Sequence, residues 1–341
     1  MKLLVYSPAF HPRIGGLEIN IAHFATEAHR LGCEVAVVTT TENSGSEPFD
    51  FPVIRRPSPG ELLHWARWCD IFYQANVSLR GLWPLLFVRR PWAVSHHSWY
   101  RHEGGRLAWQ DRLKRFLLRY AAASIAVSEA LAADLKTPTT VIPNPYRDNL
   151  FRMLPNIDRA RDLVFLGRLV SDKGVDVLVE ALGHLADRGL RPGLTIVGDG
   201  PEAPRIRDQA ERLGVFGQID MLGIRTDEEL VRILNQHRIL VVPSRYNEPF
   251  GIVALEGIAC GCVVVGSRGG GLREAIGPCG RTFPNGDSAQ LAAILADLLG
   301  HPERYRAYRH LARLHLAEHA GERVTRRYLQ TLQATLDERA A

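Results

Sequence analysis

The chain has 341 residues and a mass of 38.1 kDa, which is too long for one ordinary core and fits two domains of about 150 residues each. Apolar residues make up 46% and charged residues 23%, so the composition excludes a disordered or collagen-like chain. The net charge of +5 and the pI of about 9.1 suit an anionic ligand or an acidic membrane surface and do not require nucleic acid.

The sequence shows no feature of an exported or membrane-spanning protein. The apolar run at residues 3–6 is too short for a signal peptide, and no stretch reaches about 18 apolar residues. There are five cysteines, and Cys260 and Cys262 are closer together than the cysteine pairs of structural zinc sites. We therefore expect reduced thiols and a cytoplasmic protein.

Short apolar runs rich in Val and Ile recur along the chain, with helix-like stretches between them. In the first half they are Lys2–Tyr6, Glu34–Thr39, Val53–Arg55, Ile71–Ala75, Trp92–Ser95, Ser124–Val127 and Thr140–Ile142. In the second half they are Leu163–Leu166, Leu194–Val197, Ile219–Leu222, Ile239–Val242 and Val263–Val265. Continuous apolar strands that alternate with helices indicate parallel sheets covered on both faces.

A proline-rich turn at Pro143–Pro145 separates the two series of strands. Two such series predict two doubly wound α/β domains that face one another, with ligands bound at the carboxyl ends of the strands. A single larger α/β domain is the alternative. The strongly charged run Pro302–Arg339 is helical by pattern.

The first candidate site is Gly15–Gly16, between the first strand and an apolar-periodic helix. Glycine lets a loop approach a ligand closely, and the start of a helix attracts an anion. A simple turn is an equally good interpretation, and the chain has no GxGxxG dinucleotide fingerprint.

The second candidate is the segment GRLVSDKG, Gly167–Gly174, directly after a strand. Arg168 offers a planar fork of donors and Lys173 a mobile point charge, and together they suit a diphosphate. A solvated basic loop is the alternative.

The third candidate is the segment Pro243–Gly261, in which Glu248 precedes a helix and Glu256 is its one charged residue. The helix is apolar all round and so is expected to be buried, where a carboxylate needs donors such as the two hydroxyls of a ribose. The free amides of Phe250–Ile252 would favour a phosphate or sugar oxygen. The alternative is a helix-capping Glu248 and a Glu256 paired with an internal arginine.

The fourth candidate is SHHSWY, Ser95–Tyr100, at the end of a strand. His96 and His97 point in opposite directions, so only one of them can face a ligand. A zinc site here would lack a third ligand nearby.

Taken together, these segments resemble the retaining glycosyltransferases of family four, which have the GT-B fold. The resemblance is carried by GRLVSDKG, by IVGDGPE at Ile196–Glu202 and by NEPFGIVALEGIACG with its spaced glutamates. It extends to GGLE at Gly15–Glu18, VIPNPYRDNLF at Val141–Phe151, LGIRTDEEL at Leu222–Leu230 and SRGGGLREAI at Ser267–Ile276. The departures are a short acceptor domain and a doubled histidine, of which counting six residues from Pro91 selects His97.

The resemblance implies the GT-B domain arrangement. It predicts an acceptor-binding domain at residues 1–150, to which a C-terminal helix at about 320–341 returns, and a nucleotide-sugar donor domain at residues 151–319. The active site is expected in the cleft between these domains.

The resemblance also implies a role for each site residue. Arg168 and Lys173 would clamp the diphosphate without a metal ion or other cofactor, and Gly16 would contact the phosphate. Glu256 would bind the ribose, and Glu248 with the amides of Phe250, Gly251 and Ile252 would hold the sugar. The catalytic residues would be His97, near the reacting carbon, and Glu248. Ile224 and Arg225 would lie near the base.

The implied activity is transfer of a sugar, with retention, from a nucleotide diphosphate sugar to an acceptor hydroxyl. We expect a UDP-sugar donor, a glycan, glycolipid or small-molecule acceptor, and a role in making cell-surface polysaccharide or glycoconjugate. The alternatives are a sugar-nucleotide epimerase of the same build and a non-catalytic sugar-nucleotide-binding protein.

The sequence gives one indication of the acceptor. It is the segment Arg101–Tyr120, where arginines and a lysine alternate with apolar residues. A helix packed on the sheet by one face is the favoured interpretation. The alternative is a basic amphipathic helix that rests on the anionic inner face of a membrane, and in that case the acceptor would be lipid-linked.

Overall fold

The structure is a computed structural model that describes residues 1–13, 15–42, 48–100 and 108–340. The chain divides into two compact units, Met1–Pro145 with Gly321–Ala341 and Tyr146–Ala320. The first unit therefore ends a few residues before the predicted position near 150. The acceptor and donor roles given to the two domains stay predictions.

The first unit is built on a parallel sheet. Its strands are β1 (Lys2–Tyr6), β2 (Glu34–Thr39), β3 (Val53–Arg55), β4 (Ile71–Ala75), β5 (Trp92–His96), β6 (Ala123–Ala126) and β7 (Thr140–Val141). Its helices up to the linker are α1 (Gly16–Arg30), α2 (Pro59–Trp68), α3 (Leu79–Leu82), α4 (Trp109–Leu117) and α5 (Glu129–Leu135). The strand order is β3-β2-β1-β4-β5-β6-β7, and the central strands β1 and β4 are almost entirely buried because both faces of the sheet are covered.

The second unit repeats the plan with six parallel strands. They are β8 (Arg161–Leu166), β9 (Leu194–Val197), β10 (Ile219–Gly223), β11 (His237–Val242), β12 (Val263–Ser267) and β13 (Gly280–Phe283), in the order β10-β9-β8-β11-β12-β13. The helices are α6 (Val175–Ala186), α7 (Ala203–Arg212), α8 (Asp227–Gln236), α9 (Ile252–Ala259), α10 (Leu272–Ile276), α11 (Ser288–Gly300) and α12 (Arg304–Glu318). The edge strand β13 has no counterpart among the predicted strands.

The helical run predicted over Pro302–Arg339 is two helices, α12 and α13 (Gly321–Ala340), with His319 and Ala320 between them. The break falls where the chain leaves the second unit for the first. Helix α13 buries Val324, Tyr328 and Leu332 in the core of the first unit.

Each sheet has one point at which the strand order reverses. In the first sheet it is at β1, which lies between β2 and β4, and in the second it is at β8, which lies between β9 and β11. In open α/β sheets ligands bind at the carboxyl ends of the strands next to such a point. The residues that follow β8 and β11 are therefore the first place to look for a site.

Candidate active site

The two basic residues that follow β8 differ in their exposure and in their hydrogen-bond partners. Arg168 is exposed, and within the described residues its guanidinium makes neither a hydrogen bond nor an ion pair. Lys173 is half-buried, and its Nζ lies 2.6 Å from the Glu248 carboxylate. Arg168 is thus open to an anion, whereas Lys173 already holds one.

The Glu248 carboxylate lies in the loop after β11 and is almost completely buried. It accepts hydrogen bonds from Lys173 and, at 2.7 Å, from the hydroxyl of Ser244. Its backbone carbonyl accepts from the amide of Gly271, at the start of α10. The loops after β8 and β11 therefore bring together two side chains that are distant in sequence.

Helix α9 begins at Ile252, the last of the three residues whose amides are predicted to bind an anion. Among the described residues the N–H groups of Phe250, Gly251 and Ile252 have no hydrogen-bond acceptor. The Phe250 ring is buried against His319, at 5.7 Å between ring centres, so only its backbone can serve a ligand. The free amides and the positive end of the helix dipole suit a negatively charged or oxygen-rich group.

Glu256 lies on α9, and burial raises the pKa of its carboxyl to about 7. The charge of Arg147 opposes that rise, but Arg147 makes its ion pair with Asp227, at 3.4 Å. Within the described residues the Glu256 carboxylate has no hydrogen bond or ion pair, so the internal arginine that could have satisfied it does not do so. Its oxygens are open to hydroxyl donors.

Ile224 and Arg225 follow β10, two strands away from β8. The Ile224 side chain is 64% exposed, and Arg225 pairs with Glu229 on α8 at 2.8 Å. These two residues lie at the same edge of the sheet as Arg168, and among the described residues no hydrogen bond or ion pair joins them to it.

In the first unit, Gly16 is the first residue of α1, after the carboxyl end of β1. A Cβ at this position would meet no atom within 4 Å, so packing of the described residues does not demand glycine here. The open space is compatible with the close approach of a ligand.

The structure distinguishes the two histidines after β5. His96 is completely buried between Tyr100 and Ser124, and burial lowers its pKa to about 3. His97 is half-buried, with Nε2 at 2.7 Å from the Ser95 hydroxyl, and burial lowers its pKa to about 4. Both imidazoles are neutral at neutral pH, so His97 is suited to donating or accepting a hydrogen bond rather than to carrying a charge.

The sequence prediction missed Ser244 and the ion pair between Lys173 and Glu248. A polar residue directly beyond the carboxyl end of a central strand is a signal that could have drawn attention to Ser244. The ion pair has no such signal, since its partners are 75 positions apart.

Neither a metal centre nor a membrane-spanning helix is present among residues 1–13, 15–42, 48–100 and 108–340. Among those residues no three His, Cys, Asp or Glu side chains group as a metal site, at the histidine pair or elsewhere. None of the described helices is long and apolar enough to cross a membrane.

Comparison with known proteins agrees with this arrangement. The model of "Glycosyltransferase Family 4" matches residues 14–149, and that of "Glycosyl transferases group 1" matches residues 147–315. The chain belongs to the family 4 glycosyltransferases of the GT-B fold. This glycosyltransferase is 28% identical over 324 residues to an uncharacterised glycosyltransferase of Methanocaldococcus jannaschii, a match that covers 81% of this chain and 83% of that protein.

Two further proteins are similar to this chain, one over part of its length and one over nearly all of it. A D-inositol 3-phosphate glycosyltransferase of Corynebacterium jeikeium is 38% identical over 150 residues, which are 41% of this glycosyltransferase and 36% of that protein. The Anabaena protein HepE, solved in complex with UDP, has the same fold with a TM-score of 0.83 at 21% identity, covering 98% of this chain and 100% of HepE. The first supports an enzyme that transfers sugars, and HepE shows that the fold is shared.

Proposed function

We propose that this enzyme transfers a sugar from a UDP-sugar to a hydroxyl of a glycan, glycolipid or small-molecule acceptor. The observation that carries the proposal is the grouping at the ends of β8 and β11 of an unpaired Arg168, the Lys173–Glu248 pair and the free amides before α9. Cations suit a diphosphate, and a buried carboxylate with neighbouring amides suits the hydroxyls of a sugar. The UDP bound to HepE supports uracil as the base.

For the chemistry we propose retention by attack on the same face of the sugar. The bond from the anomeric carbon to the phosphate oxygen breaks, the acceptor oxygen bonds to that carbon, and the leaving phosphate takes the acceptor's proton. Arg168 and Lys173 would stabilise the negative charge that develops on the diphosphate. In other transferases a bound Mg²⁺ ion stabilises that charge. We therefore propose a metal-independent enzyme, with Gly16 and His97 as additional substrate contacts.

The test is a product analysis with UDP-sugars, with and without acceptor alcohols and with and without EDTA. We expect glycoside of the donor's own anomeric configuration to form, at the same rate in EDTA. Conversion of the donor to another UDP-sugar without acceptor would contradict transfer, and loss of activity in EDTA with rescue by Mg²⁺ would contradict metal independence.

The raised pKa of Glu256 gives a prediction about pH. Ribose hydroxyls would donate to the ionised carboxylate, so donor binding should favour the form that predominates above about pH 7. We expect affinity for a UDP-sugar to rise roughly tenfold between pH 6 and pH 8. Titration calorimetry on Glu256→Gln should give weaker binding without that rise, whereas the same pH slope in this variant would assign the proton to another group.

We also propose that helix α4 and the turn after it rest on an anionic membrane. One face of this segment carries Trp109, Leu113, Phe116 and Tyr120, with exposed fractions of 70%, 38%, 46% and 65%, and the exposed Arg112 and Arg119 lie among them. Aromatic rings that are left in water beside arginines fit the headgroup region of an acidic bilayer. We call these six residues the α4 stripe. The segment Arg101–Tyr120 that the sequence analysis singled out also includes residues 101–107, which lie outside the described residues.

Vesicle sedimentation tests the α4 stripe. The wild type should sediment with phosphatidylglycerol vesicles and not with phosphatidylcholine vesicles. A Trp109→Ser, Phe116→Ser variant should stay in solution, while Leu314→Ser, which removes a 73% exposed apolar side chain from α12, should behave as the wild type. Equal sedimentation of all three proteins would place any membrane contact elsewhere. A lipid-linked acceptor would fit a positive result.

A further inference from the structure

Glu248 is held by two donors on the same carboxylate oxygen. Lys173 Nζ donates to Oε1 at 2.6 Å, and Ser244 Oγ donates to Oε1 at 2.7 Å. Within the described residues the other oxygen, Oε2, has no partner. The carboxylate is therefore fixed through one oxygen, and the other remains open to a substrate hydroxyl.

Backbone contacts hold both donors in place. The amides of Arg245 and Tyr246 donate to the carbonyl of Asp172, at 2.9 and 3.3 Å. Gly174 has a φ of +66°, and a Cβ there would lie 2.1 Å from the Pro243 carbonyl oxygen, so the two loops meet at van der Waals contact. The position of Ser244 beside Glu248 is thus set by the fold of both loops.

The two donors differ in what a bound diphosphate does to them. Lys173 carries a mobile charge, and a diphosphate competes with Glu248 for it. Ser244 is neutral and 1% exposed, so a phosphate does not draw it away. Once Lys173 turns to the phosphate, the Ser244 hydroxyl is the donor that still holds the carboxylate in its orientation.

We propose that Ser244 is a positioning residue, which keeps Glu248 aimed at the sugar when Lys173 engages the diphosphate. This inference rests on the proposed donor site. It gives Ser244 a role in sugar recognition and none in binding the nucleotide.

The test compares Ser244→Ala, Ser244→Thr and the wild type in kcat for transfer and in inhibition by UDP. We expect Ser244→Ala to lower kcat about 10- to 150-fold, which is the loss of one hydrogen bond to a charged group. The inhibition constant for UDP, which lacks the sugar, should not change. Ser244→Thr keeps the hydroxyl and should recover most of kcat.

Glu248→Ala serves as the reference that separates the two proposals. If Glu248→Ala lowers kcat and Ser244→Ala does not, the positioning role of Ser244 is wrong and the donor site stands. If Ser244→Ala weakens UDP inhibition as much as it lowers kcat, Ser244 has a structural role and the inference is overturned. The same holds if the melting temperature of the variant falls together with its kcat. If Glu248→Ala leaves transfer unchanged, the proposed donor site fails and this inference fails with it.

Discussion

Arg168→Ala should weaken donor binding and turnover about 10- to 150-fold, because a charge-assisted contact with phosphate contributes about 1.5–3 kcal/mol. Among the described residues no side chain is paired with Arg168, so its removal leaves no charged or hydrogen-bonding group without a partner. The free energy of unfolding should therefore stay close to that of the wild type. Kinetics with a UDP-sugar, beside a thermal melt, measure both quantities.

Lys173→Ala should lose activity over the same range, with some loss of stability because Glu248 loses its ion pair.

Arg161→Ala is the matched control, since Arg161 is an exposed arginine at the opposite end of the same strand. It pairs with Asp220 at 2.9 Å, and both side chains are at least half exposed. An exposed pair contributes little stability, so this variant should bind and turn over the donor normally. Equal losses in Arg161→Ala and Arg168→Ala would mean that overall charge matters and that the end of β8 has no special role.

Glu248→Ala should lower kcat about 10- to 150-fold, because the buried carboxylate would accept hydrogen bonds from the sugar. Affinity for free UDP should fall much less, since UDP has no sugar for Glu248 to hold. The measurement is kcat for transfer beside calorimetric binding of UDP.

Glu202→Ala is the carboxylate control, because Glu202 precedes α7 and pairs with Arg205 at 3.2 Å. It should leave both kcat and UDP binding unchanged. Early melting of Glu248→Ala and Glu256→Gln with equal loss of UDP binding would mean that α9 is a structural helix and not part of a donor site.

The fold was predictable where periodicity and burial agree. Strands β1, β2 and β4 begin and end as predicted, since each is a mostly apolar run that the structure buries almost completely. The edge strand β13 was missed because GRTF has only one buried residue and offers no apolar run. The residue pattern alone does not mark the break between α12 and α13, because both helices carry similar charged sequences, whereas the family resemblance predicted a separate helix from about residue 320.

The sequence predicted which residue types form the candidate site, but it did not predict the contacts between them. The sequence places Arg168, Lys173 and Glu248 after strands, and the parallel topology then brings them to one edge of a sheet. It cannot show that Lys173 bonds to Glu248 before any ligand arrives, because that contact depends on how two loops meet. It also could not show that Glu256 lacks a partner, since Arg147 lies nearby and pairs with a different carboxylate.

Hydrogen–deuterium exchange with and without UDP locates the donor site most directly. Amides that now lack an acceptor should gain protection when a ligand accepts from them. We expect protection in peptides that cover residues 167–174 and 248–256, and no change in α12, which lies in the same unit. Protection by UDP that leaves both of those peptides unchanged and appears elsewhere in the chain would contradict a donor site at the ends of β8 and β11.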